Sequence, residues 1–370
     1  MIRVLVVEDS PTARELLLAI LGEDPEISVV GVARDGLEAL EMVEKTRPDV
    51  ITMDIHMPNM DGFQASRRIM ETRPTPIVIV SGSTTTDEVT KALRALEAGA
   101  LTVLQRPPGP FDPRWEELVR EIVQTVKWMA GVKVVRRWSR PPQPVAPIPP
   151  VVTLRPAGGV ELVVIGASTG GPPVLKTILS ALPPSFPFRV MVVQHLAEGF
   201  IGGFVKWLAA ECAAPVQLAQ DGEPVLPGHV YVAPDGRHMR YNRNGTVSLT
   251  DDPPENGLRP SVAHLFRSAR EALGSRVVGI LLTGMGSDGA QELKLLRNAG
   301  AITIAQDAAS SAVHGMPGKA IELGGAQYVW PPEKIAEALK ALAQSPQGQA
   351  GSLRGRGDRG KMGRSEEKLP

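Results

Sequence analysis

An α/β fold with two doubly wound domains is predicted, because short β-branched runs alternate with longer stretches of helical period along the 370 residues. The predicted strands are apolar almost throughout, which is typical of a parallel sheet covered by helices on both faces. The length suits two or three domains at about 100–200 residues each. A proline-rich stretch near the middle of the chain divides the alternation into two series.

The first series covers residues 1–130 and contains five strands that are each followed by a helix. Five such units predict one doubly wound domain whose site lies at the carboxyl ends of the strands. The expected strands are Arg3–Val7, Ser28–Ala33, Val50–Met53, Ile77–Val80 and Leu101–Leu104. The expected helices are Thr12–Leu21, Leu37–Lys45, Phe63–Glu71, Asp87–Ala98 and Trp115–Met129.

A linker is predicted between the two domains at residues 131–158. From Arg140 to Pro150, six of eleven residues are proline. Proline fixes φ and lacks an N–H donor, so this stretch should be extended. The linker carries five basic and no acidic side chains, whereas residues 1–130 carry 14 basic and 21 acidic ones. The whole chain has 40 of each, and this neutral balance argues against a protein that coats nucleic acid or an anionic membrane.

The second series covers residues 159–344 and predicts a Rossmann-like domain with a mostly parallel sheet. Asn244-Gly245 lies between the segments MRYNR and TVSLT and predicts a β-hairpin turn. Residues 345–370 contain too few apolar side chains to form a core, so we expect a disordered tail. The expected strands are Leu162–Ile165, Val190–Val193, Val230–Val232, Val277–Leu282 and Ile302–Ala305, and the expected helices are Pro172–Ala181, Gly199–Ala210, Pro260–Leu273, Ala290–Ala299 and Pro332–Leu342.

Acidic residues follow two strands of the first domain. Glu8 and Asp9 come after the first strand and Asp54 ends the third, so their carboxylates should meet at one edge of the sheet. Converging carboxylates repel one another unless a pKa rises or a hard divalent cation binds. Ser81 ends the fourth strand and Arg106 the fifth, which adds a hydroxyl and a cation at the same edge. Five such positions in this order predict a site rather than ordinary loop residues.

The first domain resembles the response-regulator receiver domain. The matching segments are VVEDS, ITMDIHMPNMDG, IVIVSG and QRPP, within residues 1–130. The resemblance implies a five-stranded, flavodoxin-like fold in which Asp54 accepts a phosphoryl group from a histidine kinase. It also implies that Mg²⁺ is held by the carboxylates of Glu8, Asp9 and Asp54 and by the backbone carbonyl of His56.

The same resemblance assigns the phosphoryl switch to Ser81 and Arg106. Ser81 matches the hydroxyl that contacts the phosphoryl group. Receiver domains carry a lysine where this sequence has Arg106, and a planar guanidinium needs more room than a compact ammonium group. We expect Arg106 to keep the ion pair with Asp54 that the lysine would form.

A glycine-rich turn opens the second domain, where ELVVIG is followed by ASTGGPP. Such turns between a strand and a helix bind phosphate groups at the helix N-terminus, although the P-loop lysine and the Gly-x-Gly-x-x-Gly spacing are missing. The spacing Gly166-x-Ser168-x-Gly170 also fits a nucleophile turn that points the serine hydroxyl outward. This segment alone leaves the two interpretations equal.

A nucleophilic serine needs a base, and His195 is the best placed of six histidines. It follows the strand MVVQ at the carboxyl edge that Ser168 shares. The third member should be a carboxylate at that edge, and Asp288 follows a long apolar strand through a glycine-rich turn. An aspartate there is also a good helix N-cap, and both roles can hold. The other histidines of this domain are expected elsewhere: His229 at the opposite edge, His264 inside a helix, and His238 and His314 in loops.

The motifs GASTGG, QH and LLTGMGSDG resemble those of the chemotaxis protein-glutamate methylesterases, the CheB family. Receiver, linker and catalytic domain follow in the same order over nearly the whole chain. The order Ser…His…Asp differs from the α/β-hydrolase fold, which runs Ser…Asp…His. The resemblance implies a phosphorylation-activated serine hydrolase that demethylates γ-glutamyl methyl esters, and often deamidates glutamines, on chemoreceptors.

The resemblance also implies a role for each matched residue. Ser168 would be the nucleophile, His195 the general base and Asp288 the residue that orients the imidazole. The backbone N–H groups of Thr169 and Met285 are our candidates for the oxyanion donors. The partners would be methyl-accepting receptors and a chemotaxis histidine kinase, and hydrolysis would need no cofactor.

Two other functions remain open at the level of sequence. The second domain could bind a phosphorylated ligand without catalysis, or hydrolyse another ester outside chemotaxis. Cys212 is the single cysteine, so no intrachain disulfide can form. The first residues, MIRVLVVEDS, resemble neither a signal peptide nor a membrane span. We therefore expect a cytoplasmic protein that inserts into no membrane and binds no nucleic acid.

Overall fold

The computed structural model describes residues 1–82, 85–132, 134 and 159–344. Both series of alternating strands and helices fold as parallel α/β sheets within this part of the chain. Of the predicted linker, residues 131, 132 and 134 are described. The rest of that linker and the predicted tail at 345–370 lie outside the described residues.

The first domain is a five-stranded parallel sheet in the order β2-β1-β3-β4-β5, which confirms the flavodoxin-like prediction. Strands β3 and β4 are buried along their whole length, because helices cover both faces of the sheet. The elements are β1 (Ile2–Val7), α1 (Pro11–Gly22), β2 (Ile27–Ala33), α2 (Gly36–Thr46), β3 (Val50–Met53), α3 (Gly62–Thr72), β4 (Ile77–Ser81), α4 (Thr86–Glu97), β5 (Thr102–Gln105) and α5 (Trp115–Ala130).

Side-chain caps fix where the first three helices begin. The Ser10 hydroxyl accepts a hydrogen bond from the first turn of α1, and the Asp35 carboxylate accepts two from α2. Asp61 does the same for α3. Ser10 and Asp35 follow their strands within three residues and Asp61 follows β3 after a longer loop, so the three helices begin at the carboxyl edge of the sheet.

The second domain has a seven-stranded parallel sheet in the order β14-β13-β12-β6-β7-β9-β8, with a separate antiparallel hairpin β10–β11. The hairpin turns at Asn244-Gly245, as predicted. Strand β6 is central, with β12 and β7 as its neighbours. The elements are β6 (Leu162–Ala167), α6 (Gly171–Ser180), β7 (Arg189–Gln194), α7 (Ile201–Glu211), β8 (Val216–Leu218), β9 (Val230–Val232), β10 (His238–Tyr241), β11 (Val247–Thr250), α8 (Val262–Leu273), a 3₁₀ turn (Gly274–Arg276), β12 (Val277–Leu281), α9 (Ala290–Asn298), β13 (Ile302–Gln306), α10 (Met316–Glu322), β14 (Tyr328–Trp330) and α11 (Pro332–Gln344).

Four of these elements were not predicted: the 3₁₀ turn, β8, α10 and β14. Both strands have only three residues, and α10 contains Pro317 and Gly318, which disfavour a helix in isolation. The prediction that His238 lies in a loop was wrong, since it is the first residue of β10. Its ring stacks on that of His264 with 3.7 Å between the centroids.

The two domains pack together through helix α4 of the first and helices α6 and α7 of the second. Val89 of α4 fills the space over Gly203 of α7, where a Cβ atom would come within 2.5 Å of the valine. Lys176 of α6 contacts Glu97 of α4, with 2.7 Å between the ammonium nitrogen and a carboxylate oxygen. An apolar contact and an ion pair therefore join these helices.

No helix in the described part of the chain is both long enough and apolar enough to span a membrane.

Candidate active site

Three carboxylates meet at the carboxyl edge of the first sheet, as their strand positions predicted. Glu8, Asp9 and Asp54 place oxygen atoms within 4.8 Å of one another. The Glu8 side chain is almost fully buried, and its burial together with the charge of Asp54 raises the pKa of the Glu8 carboxyl to about 7. Glu8 and Asp54 are buried and Asp9 is more exposed, so the cluster offers close carboxylate oxygens that a hard divalent cation can reach from solvent. The acidic cluster therefore fits a metal site.

Arg106 reaches this cluster but not in the way expected. Its guanidinium donates to the Glu8 carboxylate, with an N–O distance of 2.9 Å. Arg106 therefore forms an ion pair with Glu8, whereas an ion pair with Asp54 was expected. The guanidinium lies over Gly82, where a Cβ atom would come within 2.3 Å of it. The longer, forked side chain therefore uses the room that a glycine leaves and reaches the deeper carboxylate.

The remaining receiver residues of the prediction lie at the same edge. Ser81 is the last residue of β4 and is buried, and Asp54 follows β3 directly. His56 lies two residues beyond Asp54, with its side chain exposed. Gly62 packs so closely on the Asp54 backbone that a Cβ atom would come within 2.1 Å of its carbonyl oxygen. The loop from 54 to 62 is thus folded tightly over the strand end.

In the second domain, the turn after β6 holds Ser168 between the sheet and helix α6. The N–H of Ser168 donates to the Thr283 carbonyl (3.0 Å), which continues the ladder between β6 and β12 by one residue. Gly170 follows with φ of +74°, a conformation that glycine adopts without strain, and α6 begins at Gly171. This is the strand–turn–helix context that a nucleophile turn requires.

His195 and Asp288 lie at the same edge of the sheet. The N–H of His195 donates to the Ala167 carbonyl (3.0 Å), so His195 stands beside the residue that precedes Ser168. Its Nε2 atom is 3.1 Å from Asp288 Oδ2, which is ion-pair distance. The contact does not have hydrogen-bond geometry, and none of the described residues completes a hydrogen bond to Nε2. The contact is therefore electrostatic rather than a linear hydrogen bond.

Asp288 is both a helix cap and the neighbour of His195. Its two carboxylate oxygens accept from the N–H groups of Val262 (2.6 Å) and Ala263 (3.0 Å), in the first turn of α8. The side chain is buried, so these donors and the imidazole surround it in place of water. Asp288 does not cap α9, the helix that follows it, because the N-cap of α9 is Gly289 with no side-chain hydrogen bond. It binds the first turn of α8 instead, while it lies beside His195.

The glycine-rich turn after β12 lies directly against Ser168. A Cβ atom on Gly284 would lie 2.7 Å from the Ser168 Cβ and 2.4 Å from the Met316 sulfur, so no side chain fits there. The Gly284 carbonyl accepts from Gly315 (3.0 Å) and Met316 (2.9 Å). Met285 follows in this turn, which brings its backbone close to the nucleophile.

An open cleft of about 380 Å³ leads to His195. Its walls come mostly from the second domain and include Asp235, Leu258 and Arg259. Glu117, from helix α5 of the first domain, also lines it. The first domain therefore borders the approach to His195.

Two further contacts join the domains near this cleft. Arg114 donates to Glu198 with an N–O distance of 3.1 Å, and Glu198 also lines the cleft. The N–H of Gly170, in the nucleophile turn, donates to the Leu101 carbonyl of the first domain (3.0 Å). The first domain thus touches the turn that carries Ser168.

Two buried polar side chains that lie inside the quoted motifs, but to which no role was assigned from the sequence, touch this turn. Gln194 ends β7, and Thr283 follows β12 by two residues. Each residue directly follows a run of apolar residues, so the apolar pattern that predicts the strand does not single it out. The available signal was a polar residue at the carboxyl end of an otherwise apolar strand, in QH and in LLTG.

Comparison with known proteins agrees with this organisation. Residues 163–339 match the family model of the CheB methylesterase, and residues 4–112 match that of the response regulator receiver domain. A protein-glutamate methylesterase/protein-glutamine glutaminase of Geobacter metallireducens is 54% identical over 93% of this chain and 99% of its own. One from Nitrosospira multiformis is 52% identical over 92% of this chain and 97% of its own.

Among solved structures, the catalytic domain of the Thermotoga maritima CheB methylesterase is 39% identical. It covers 50% of this chain and 98% of its own, with a TM-score of 0.48. The whole-length relatives carry the assignment, because they share about half of all residues with this chain across both domains. The chain belongs to the CheB methylesterase family, with an amino-terminal response regulator receiver domain.

Proposed function

We propose that this chain is a protein-glutamate methylesterase that hydrolyses γ-glutamyl methyl esters on chemoreceptors and deamidates glutamines there. The observation that carries the proposal is the juxtaposition of Ser168, on a strand-to-helix turn, with His195 and Asp288 at one sheet edge. Relatives that share about half of their residues with this chain bear the names of both activities. The single cysteine and the receptor substrate favour action in the cytoplasm.

The first half of the reaction is acyl transfer to the enzyme. Ser168 Oγ attacks the ester carbonyl carbon while the imidazole of His195 takes the hydroxyl proton on the ring side away from Asp288. Asp288 stabilises the imidazolium that results. The intermediate collapses with breakage of the carbonyl–methoxy bond, and His195 returns the proton so that methanol leaves.

The second half releases the acyl group to water. His195 removes a proton from water, the hydroxide attacks the acyl carbon, and the proton returns to Ser168 Oγ as the glutamate carboxylate departs. The backbone N–H groups of Thr169 and Met285 are proposed to stabilise the oxyanion in both halves, at about 3–4 kcal/mol for each donor. A glutamine substrate follows the same path with ammonia as the leaving group.

The receiver domain is proposed to control this site through Asp54, the phosphoryl acceptor for a chemotaxis histidine kinase. Glu8, Asp9, Asp54 and the backbone carbonyl of His56 would hold Mg²⁺, which when bound neutralises charge on the phosphoryl oxygens. The Ser81 hydroxyl would contact the phosphoryl group, as the family pattern implies. The Arg106 guanidinium, now paired with Glu8, would add positive charge at the same edge.

Control is proposed to act through the packing of the two domains. In the arrangement described above, Glu117 borders the cleft and Leu101 accepts a hydrogen bond from the nucleophile turn. A receptor helix must displace the receiver domain from this face to reach Ser168. Phosphorylation would favour the open arrangement to the extent that it weakens the domain contact.

A charge exchange between the domains tests this control. Replacing Glu97 by lysine places two ammonium groups together at Lys176 and should raise the unphosphorylated activity about 2- to 5-fold, the range expected for a partly exposed pair. In the wild-type protein Lys176 contacts both Glu97 and Glu211, the latter at 3.1 Å. The double variant Glu97→Lys/Lys176→Glu again has one lysine and two glutamates at these three positions. Its basal activity should return toward wild type.

Glu41→Lys is the matched control, since it makes the same charge change on α2, which packs on α3 and β2 within the receiver. It should leave basal activity unchanged. Equal activation by Glu41→Lys and Glu97→Lys would contradict a specific role for the domain contact.

The direct test of the proposed activity is methanol release from methylated chemoreceptor in membranes, with and without a small phosphodonor such as acetyl phosphate and Mg²⁺. We expect methanol to appear and the donor to accelerate it. No methanol in either condition, with a well-folded protein, would overturn the proposed substrate.

A further inference from the structure

We propose that Thr283 and Gln194 are positioning residues that clamp the nucleophile turn between the candidate oxyanion turn and the base. The proposal rests on Ser168 as the nucleophile and adds the means by which its turn is held. Neither side chain touches the reacting atoms. Both act through the backbone of residues that do.

The sheet itself holds only the start of this turn. Ser168 N–H donates to the Thr283 carbonyl on one side, and His195 N–H donates to the Ala167 carbonyl on the other. Beyond Ser168 the chain leaves the sheet to enter helix α6. The Ser168 carbonyl accepts from the Gly171 N–H (2.8 Å), and side chains supply the further partners of the Ser168 and Thr169 carbonyls.

Thr283 supplies such a partner from the β12 side. Its side chain is fully buried. Its hydroxyl oxygen lies 2.9 Å from the Thr169 carbonyl oxygen and 3.1 Å from the Val313 carbonyl oxygen, so its single proton is shared between these two acceptors, with Thr169 the nearer. The same oxygen accepts from the Val313 N–H (3.0 Å). Val313 in turn accepts from the N–H of Gly284 (3.0 Å). One hydroxyl therefore joins the turn that carries Ser168 to the turn that carries Met285.

Gln194 supplies the partner from the β7 side. Its amide nitrogen donates to the carbonyls of Ser168 (2.9 Å) and His195 (2.7 Å), so both of its hydrogens are used on the two catalytic candidates. Two acceptors facing one end of the amide also fix which end is the NH₂ group. The oxygen end points at Gly171, where a Cβ atom would come within 2.1 Å of it. The side chain thus has one orientation that fits.

The consequence for catalysis is geometric. The Thr169 N–H, one candidate oxyanion donor, shares a peptide plane with the Ser168 carbonyl that Gln194 holds. The hydrogen bond from Thr283 orients the next peptide plane, which contains the Thr169 carbonyl. Loss of that bond leaves the Thr169 carbonyl and the Val313 N–H without this partner, so the turn should shift to seek others. A displacement of about 1 Å in a reacting geometry can cost about 10²-fold in rate.

The test compares Thr283→Val, which removes the hydroxyl at constant shape, with Thr283→Ser, which keeps it. Both are made in the full chain and measured with acetyl phosphate and Mg²⁺, so that domain opening does not limit the rate. For Thr283→Val we expect kcat to fall about 10²-fold with KM within about twofold, as for a group that acts in the transition state. Thr283→Ser should keep kcat within about threefold of wild type.

A second readout follows Ser168 itself. The rate constant for labelling by a fluorophosphonate depends on the nucleophile, the base and the oxyanion donors, but not on receptor binding. It should fall in parallel with kcat in Thr283→Val and recover in Thr283→Ser. Circular dichroism and the midpoint of thermal unfolding are measured on the same samples. A purely structural role would change the spectrum or the midpoint, but it would leave kcat and the labelling rate of the folded enzyme unchanged.

Gln194→Met provides an independent variant in case Thr283→Val fails to fold. It removes both donors at similar length and should lower kcat and the labelling rate together by at least tenfold. Wild-type rates in a folded Thr283→Val or Gln194→Met variant, or an equal loss in Thr283→Ser, would overturn the positioning roles. A parallel Ser168→Ala variant separates the two proposals, since activity that survives in it refutes the nucleophile whatever Thr283 does.

Discussion

Replacing Ser168 by alanine should lower methyl ester hydrolysis by about 10⁴- to 10⁶-fold, the range seen when a serine nucleophile is removed. The half-buried side chain of Ser168 lies on a turn that is hydrogen-bonded to both neighbouring strands. It lies beside Gly284, where no side chain fits. Alanine keeps the turn and removes only Oγ. The measurement is methanol release from methylated receptor in the presence of phosphodonor, together with trapping of the acyl-enzyme.

Ser185→Ala serves as the control for this prediction. Ser185 is exposed in the loop between α6 and β7, at the opposite edge of the sheet. Its substitution should leave the rate within experimental error of wild type. Retention of more than about one-tenth of wild-type activity by Ser168→Ala would assign the chemistry to another residue.

Replacing Asp54 by asparagine should abolish stimulation by a phosphodonor while basal hydrolysis remains. Asparagine matches the shape of aspartate but cannot form the acyl phosphate, so the ratio of stimulated to basal rate should fall to one. Because Asp54 lies in the receiver domain, the machinery around Ser168 is unchanged. The ratio is measured with acetyl phosphate and Mg²⁺ at saturating receptor.

Asp49→Asn is the matched control, since Asp49 is exposed at the other end of the same strand, where it accepts a hydrogen bond from the Arg3 N–H (2.8 Å) that asparagine can also accept. It should keep full stimulation. Chelation of divalent cations should reproduce the loss in wild-type protein. Full stimulation of Asp54→Asn would contradict phosphorylation at this residue.

Much of this architecture is predictable from the chain alone, because its strands are short apolar runs that end in polar residues. The positions of Asp54 after VITM and of His195 after MVVQ suffice to place both residues at sheet edges, since parallel strands bring their carboxyl ends together. The hairpin at Asn244-Gly245 is equally local. These features depend on neighbours in sequence, and local rules describe them well.

Other features depend on surfaces that meet only after folding. The pairing of Arg106 with Glu8 is decided by depth and by the space over Gly82, which no strand pattern encodes. Nothing in the sequence indicates that Lys176 contacts Glu97, which is nearly 80 residues away. Thr283 and Gln194 were hidden because one polar residue hardly alters the apolar character of a strand. Short strands such as β8 gain their pairing from the rest of the sheet.

The shared carboxylate of Asp288 ties the reactivity of the enzyme to the integrity of one helix turn. The oxygens that cap α8 through Val262 and Ala263 are those that lie beside His195, so fraying of that turn would turn the carboxylate away from the imidazole. Loss of activity would then report local unfolding of the first turn of α8. Moderate warming would inactivate the enzyme while the two sheets remain folded. Substitutions that loosen the start of α8 would then lower the rate without replacing any catalytic side chain.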